Sequence, residues 1–179
     1  MRWLSKHDVS IALINWNGNL LSTTVSQETL NAQLKVKQYE KYLNPESRLY
    51  IARQIVKQKV KSSLGLLKAL SDFYDIDLSI INKEIERVDY DNINSLMMYK
   101  GRIASAYWSE LTKIFNVTGK DFNFQPRKNL SYSWNMNASD PINALLNYGY
   151  AILESMVRED INTIGSDVSI GYLHEIAPS

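Results

Sequence analysis

Two short apolar runs, Val9-Ser-Ile-Ala-Leu-Ile14 and Leu20-Leu-Ser-Thr-Thr-Val25, flank Asn15-Trp-Asn-Gly18. This is the pattern of strand, tight turn and strand, because Asn-Gly accepts the positive φ values a hairpin turn needs. An isolated hairpin is marginal in water, so these strands require a surface to pack on, and the chain reads as though an earlier part of a sheet were missing. From Glu28 the apolar spacing changes to that of helices. Residues 28–43 form the first, closed by Asn44-Pro45, and Pro45 suits the first turn of a second helix running to about Leu70. Leu49, Ala52, Val56, Val60, Leu67 and Leu70 keep one face of it. A shorter helix follows around Leu78–Glu86, with Asp75 or Asp77 near its start, and then a long one from about Asp91 to Phe115. Asn116–Ser139 has no sustained period and reads as a long loop, of a length that is usually functional or mobile. Asp140-Pro141 supplies an N-cap and a first-turn proline for the last helix. Ile142, Leu145, Leu146, Gly149, Ile152, Leu153 and Met156 form its expected buried stripe, and Gly165 marks its end. The predicted class is mainly α, a helical domain (28–179) preceded by a β-hairpin remnant (1–27).

Composition narrows this picture. An apolar fraction of 45% with four Trp and eleven Tyr fits a globular protein rather than a disordered one. The formal net charge is only +1, so a nucleic-acid partner has to be held by a local patch. There is no cysteine, which excludes disulfides and thiolate metal sites and favours a cytosolic setting. Met-Arg-Trp-Leu-Ser-Lys-His is no signal peptide, and no apolar run reaches membrane-spanning length. A cytoplasmic protein without a membrane partner is the expectation.

One lysine breaks the helical pattern. On the helix of residues 91–115 the expected buried stripe runs Ile93, Leu96/Met97, position 100, Ala104, Tyr107, Leu111 and Ile114, and position 100 is Lys100. Gly101, next to it, costs about 1 kcal/mol relative to alanine inside a helix. Local violations of this kind gather at functional sites. Either the Lys100 stem lies on apolar surface with its ammonium in water, or position 100 lines a pocket built for a polar side chain. Spacing does not separate the two.

Three segments carry a resemblance. Asp140-Pro-Ile-Asn-Ala-Leu-Leu-Asn-Tyr-Gly-Tyr150, Gly171-Tyr-Leu-His174 and Tyr99-Lys-Gly-Arg-Ile-Ala-Ser-Ala-Tyr-Trp108 resemble segments of the CRISPR adaptation integrase (the Cas-one family), a spacer-acquisition endonuclease. The match covers most of the chain, while the family is longer at both ends. The run 140–150 joined to 171–174 is highly specific; Arg2–Ile11 with Asn17-Gly18, which resembles the last strands of the family's N-terminal β domain, is weaker support. The resemblance implies that Lys100 stands where the family has a metal-binding glutamate before glycine, with Arg102, Tyr107 and Trp108 matching the family's residues after that glycine. It implies that His174 is the second metal ligand, and that a third, acidic ligand belongs beyond it, past the fifth residue after His174 at which this sequence stops.

These substitutions bear on mechanism. Family members use Mg²⁺ or Mn²⁺, which prefer hard, anionic oxygen ligands, to activate a nucleophile and steady the phosphoryl transition state. Lysine for glutamate changes the local charge by about two units and removes a lone pair while protonated. His174 alone is a poor site, so no cofactor is expected as the chain stands; an ammonium at 100 could instead hold a DNA phosphate. Judged without the family, His174 is more often a hydrogen-bonded structural histidine, and His7 receives only that reading. Arg53, Lys57 and Lys61 share one face of the second helix, with Arg48, Lys59 and Lys68 nearby. This is either a phosphate-tracking stripe or a solvated face. Phe122, Phe124, Tyr132 and Trp134 around Arg127-Lys128 could stack bases, though such aromatics more often pin a loop to its domain.

The expectation is therefore a degenerate, DNA-binding member of that family. Arg48, Arg53, Lys57, Lys61 and Arg102 are the DNA candidates, and Lys100 and His174 mark the altered site. Two alternatives stay open. One is an active endonuclease or integrase completed by another chain or by Glu110, Asp167 or Glu175. The other is a non-catalytic protein that pairs with an intact relative or with a CRISPR adaptation partner subunit. Exposed apolar surface on an unfinished domain further predicts a homodimer.

Overall fold

The computed structural model describes residues 2–7, 9–24, 31–87, 90–118, 122, 124, 138 and 140–174. Among them are six helices and two strands: α1 (Arg2–Lys6), β1 (Ala12–Ile14), β2 (Leu20–Thr23), α2 (Ala32–Leu43), α3 (Pro45–Leu70), α4 (Leu78–Glu86), α5 (Ile93–Thr118) and α6 (Pro141–Ile164). A mainly helical chain with a small hairpin is what the sequence pattern predicts. The chain divides into two units that interleave in sequence: Met1–Leu43 with Lys128–Gly171 and Ile176–Ser179, and Asn44–Arg127 with Tyr172–Glu175.

In the first unit β1 and β2 pair antiparallel, Ala12 opposite Thr23 and Leu13 opposite Ser22, with an irregularity between Leu13 and Ile14. Gly18 closes the turn at φ 82°, the conformation Asn-Gly was expected to supply. Glycine is required there twice over. A Cβ at position 18 would lie 2.9 Å from Asn147 Cβ on α6, closer than side chains tolerate. The hairpin thus finds its packing surface on α6, to which the Ser10 hydroxyl also donates, at the Glu159 carboxylate.

The α6 ends obey the sequence signals. Asp140 caps the start, its carboxylate accepting from the Asn143 N–H at 2.9 Å and the Asn143 amide at 2.6 Å. Gly165 closes the end in the left-handed conformation at φ 86°. The burial of α6 departs from expectation. Ile142 and Leu146 are half-buried, but Leu145, Gly149, Ile152, Leu153 and Met156 are exposed; Asn143 and Ala151 are the buried positions of the helix. The hairpin meets α6 near Asn147 and Glu159 and leaves Leu145, Ile152, Leu153 and Met156 exposed. Residues 2–6 also differ: they form a short helix, with the Trp3 and His7 rings 4.4 Å apart and tilted by 45°, where the last strands of a β domain were expected. The expected first residues of α2, 28–30, lie outside the described residues.

α2 is tied to the turn after α6 by one amide and one carboxylate. The Gln38 side chain donates to the Asp167 and Ile170 carbonyls (2.9 and 3.3 Å) and accepts from the Asp167 N–H (2.7 Å). The Asp167 carboxylate accepts from the Tyr39 hydroxyl at 2.6 Å and from the Ser169 hydroxyl and N–H. These donors, those from Ser169 first, hold the Asp167 carboxyl at about 2, below its ordinary 3.8. The same carboxylate raises the Tyr39 phenol.

In the second unit α3, α4 and α5 pack on one another. Asn44 caps α3 by accepting from the Ser47 N–H, Asp77 caps α4 by accepting from Ser79, and Asn92 and Ser95 cap α5 reciprocally. The core comprises Ala52, Val56, Val60 and Leu67 of α3, Ile81 of α4, and Leu96, Tyr99, Ile103, Ala106, Leu111 and Ile114 of α5. The α5 stripe is therefore rotated by one residue from the expected one. Tyr99, Ile103 and Ala106 are buried where positions 100, 104 and 107 were anticipated, and these three are half-buried at its flank. The physical reason is that α5 is gripped by α3 and α4 together, so its buried arc is wider than a single stripe and centres between them.

Glu110 falls inside that arc, 1% exposed. Its carboxylate accepts from the Asp77 N–H at 3.0 Å, joining α5 to the α4 cap, and from Lys113 Nζ at 2.7 and 2.9 Å. α5 runs on to Thr118, past the expected end at Phe115. Beyond it, Phe124 is buried against Phe115 and Trp108, with ring centroids 4.9 and 6.4 Å away, and so pins its segment to the domain. Tyr132, Trp134 and Arg127-Lys128 lie outside the described residues.

Both carboxylates can be tested by substitution. Glu110→Ala removes the carboxylate that accepts from the Asp77 N–H and from Lys113 and lowers the unfolding free energy by about 1.5–3 kcal/mol, while Glu110→Gln, which keeps an acceptor, loses less; urea denaturation measures both. Because the folded pKa of Asp167 is depressed, its contribution is present above its ordinary 3.8 and is lost as pH falls through about 2. Asp167→Asn should flatten the dependence of the urea midpoint on pH in that window, whereas an unchanged slope would contradict the clamp.

Candidate functional site

α5 delivers Lys100-Gly101-Arg102 to the flank of the helical core. Tyr99, the neighbour that faces inward, is buried against Tyr90 at 5.2 Å between rings, and its burial raises its phenol pKa. Successive helical residues point about 100° apart. An inward Tyr99 therefore sets Lys100 at the core's edge, half-buried. Gly101 is exposed and has nothing within 4 Å of where a Cβ would sit, so no steric demand of the described structure requires glycine there.

Residues 172–174 reach the same unit as an irregular segment. Tyr172 and Leu173 pack partly buried on its core, and burial raises the Tyr172 phenol. His174 stands exposed at the end. The backbone of this tail is held by Arg48 of α3, whose Nε donates to the Tyr172 carbonyl at 3.0 Å and Nη2 to the His174 carbonyl at 3.2 Å.

The other cations sort by what they touch. Arg53 donates to the Tyr90 carbonyl at 2.6 Å and lies over the Tyr90 ring at 5.2 Å, binding α3 to the segment before α5. Arg102 pairs with Glu84 of α4 at 2.9 Å and reaches the Arg87 carbonyl at 3.5 Å. Lys57 and Lys61, one turn apart on α3, are exposed. Three of the five candidate DNA contacts thus also fasten helices or backbone, and two sit on open surface. Tyr90, the receiver of Arg53, was not singled out from sequence; its only advance signal was an aromatic two residues before the α5 cap Asn92.

The donor set does not suit a divalent cation as it stands. Among the described residues no three His, Asp or Glu side chains converge as metal ligands. Lys100 offers an ammonium. Glu110 is committed to the Asp77 N–H and Lys113, and Asp167 lies in the other unit, bound by Tyr39 and Ser169. Glu175 lies outside the described residues. The described residues therefore do not fit a metal-centred step.

The chain has the fold of proteins that include casposases and Cas1 proteins. It superposes on a casposase bound to integration product with a TM-score of 0.78, 32% identity, and coverage of 99% of this chain and 49% of the casposase. On the Cas1 protein of Thermotoga maritima the TM-score is 0.78 at 26% identity, covering 98% of this chain and 53% of the other. The family model for CRISPR associated protein Cas1 matches residues 1–179, and the chain belongs to that family. The CRISPR-associated endonuclease Cas1 1 of Thermodesulfovibrio yellowstonii is 31% identical over 154 residues, 81% of this chain and 45% of the relative. The chain spans about half the length of the curated relatives it matches. No helix among the described residues is long and apolar enough to cross a membrane.

Arg53→Ala should cost about 1–2 kcal/mol in thermal or urea unfolding, because it removes a half-buried hydrogen bond and a ring contact. Lys57→Ala and Lys61→Ala should stay within about 0.5 kcal/mol of the parent, as exposed substitutions do.

Proposed function

We propose that this chain is a DNA-associating member of the Cas1 family in which metal-dependent strand chemistry is impaired. The observation that carries the reading is Lys100, immediately before Gly101 on α5, at the position where the family resemblance implies an anionic ligand. A protonated amine offers no lone pair and repels a divalent cation, and a lone imidazole such as His174 binds Mg²⁺ or Mn²⁺ poorly. Residues 1–27 correspond on this reading to the end of the family's β domain, and 28–179 to its helical domain.

DNA contact is assigned to Lys57 and Lys61 first, since they are exposed on one helical face. Point charges of this kind bind phosphate without reading sequence, and their affinity falls as salt rises. The apolar side chains exposed along α6, Leu145, Leu153 and Met156 among them, support self-association as a homodimer or pairing with an intact relative.

Branched DNA incubated with the protein and Mn²⁺ should remain uncut, while gel-shift assays show binding that weakens with salt. Metal-dependent cleavage abolished by His174→Ala would refute the impaired reading. Sedimentation velocity over a rising concentration series should show a dimer; a monodisperse monomer at the highest concentration would remove the self-association claim.

A further inference from the structure

We infer that Arg48 is a positioning residue for His174 rather than a phosphate contact. Residues 172–174 belong to no helix or strand, so their carbonyls lack the partners that regular structure supplies. One guanidinium meets two of them, at Tyr172 and His174, through two different nitrogens at 3.0 and 3.2 Å. Arginine's donors are fixed in one plane, so this two-point grip sets the orientation of the backbone between them as well as its distance. The side chains of Tyr172 and Leu173 anchor the same three residues on the core. Held by two side chains and a fork, the tail presents His174 outward in one orientation.

A lysine at position 48 would bring charge to the same place, but its single ammonium is a point donor without the planar fork. Arg48 sits half-buried near the start of α3, a rigid helix capped by Asn44 four residues earlier, so the fork itself has a firm base. The inference does not rest on the proposed function, which leaves His174 without a metal to hold; the grip on the backbone stands whether or not the chain binds DNA.

Backbone ¹⁵N relaxation tests it, read at Leu173 and His174 in the parent chain, Arg48→Lys and Arg48→Ala, with a thermal melt confirming that each variant is folded. We expect order parameters near the rigid value of about 0.85 in the parent, falling below about 0.6 in Arg48→Ala and not restored in Arg48→Lys. The ring signal of His174 should move in both variants, and that of His7, the chain's other histidine, should not. Methylguanidinium added to Arg48→Ala should recover the His174 signal in part, and methylammonium should not. If Arg48→Ala fails to fold, Arg48→Lys, which keeps stem and charge, supplies the relaxation result. Unchanged order parameters in the variants, or full recovery by lysine, would overturn the proposal. On a DNA duplex probe, a salt slope reduced by about 0.9 in Arg48→Ala with an undisturbed tail would return Arg48 to the phosphate contacts. Absence of any duplex binding would count against the proposed function alone and leave the relaxation test intact.

Discussion

The helical unit is organised by what α5 must bury. α3 and α4 both press on it, and the residues that satisfy them are Leu96, Tyr99, Ile103, Ala106, Glu110, Leu111 and Ile114. Once Tyr99 is committed inward, the next residue is turned to the edge of the core, and the residue after that one more step round the helix. The placement of Lys100 beside the core, and of Arg102 against Glu84, is a consequence of this phase. The same arc takes in one carboxylate, Glu110, which is acceptable only because the Asp77 N–H and Lys113 saturate it.

The five candidate DNA contacts of this unit divide along the physical difference between arginine and lysine. Arg48, Arg53 and Arg102 each bridge separate pieces of chain through directed donors. Planar, weakly hydrated guanidinium suits such half-buried work. Lys57 and Lys61 keep hydrated heads on open surface. A basic stripe in sequence is thus two populations in three dimensions, with different consequences for stability and for any polyanion that approaches.

Much of the architecture was legible because local chemistry agreed with the global fold. Asn44-Pro45 and Asp140-Pro141 are caps that act within a turn, Gly165 takes the left-handed closing position, and Asn-Gly closes the hairpin. The family, too, was legible from the 140–150, 171–174 and 99–108 segments, and the match over the whole chain agrees. Burial was harder to read. On α5 the expected and observed stripes share Leu96, Leu111 and Ile114 and differ in the middle, since apolar residues at 103, 104, 106 and 107 satisfy either phase. Only the second packing partner decides between them. On α6 apolar spacing predicted a covered face, yet periodicity states which side chains align and says nothing about what lies opposite. Of the site, Lys100 and His174 were visible as residue types in a recognisable context, whereas the carbonyl grip of Arg48 joins positions more than a hundred residues apart and leaves no local trace.

Calorimetric titration with Mn²⁺ reads the effect of the charge at position 100 with no substrate involved. The parent chain should give no saturable heat, and Lys100→Glu, which supplies an anionic oxygen beside the same core edge, should give measurable binding. Saturable binding near one ion per chain in the parent, removed by His174→Ala, would contradict it.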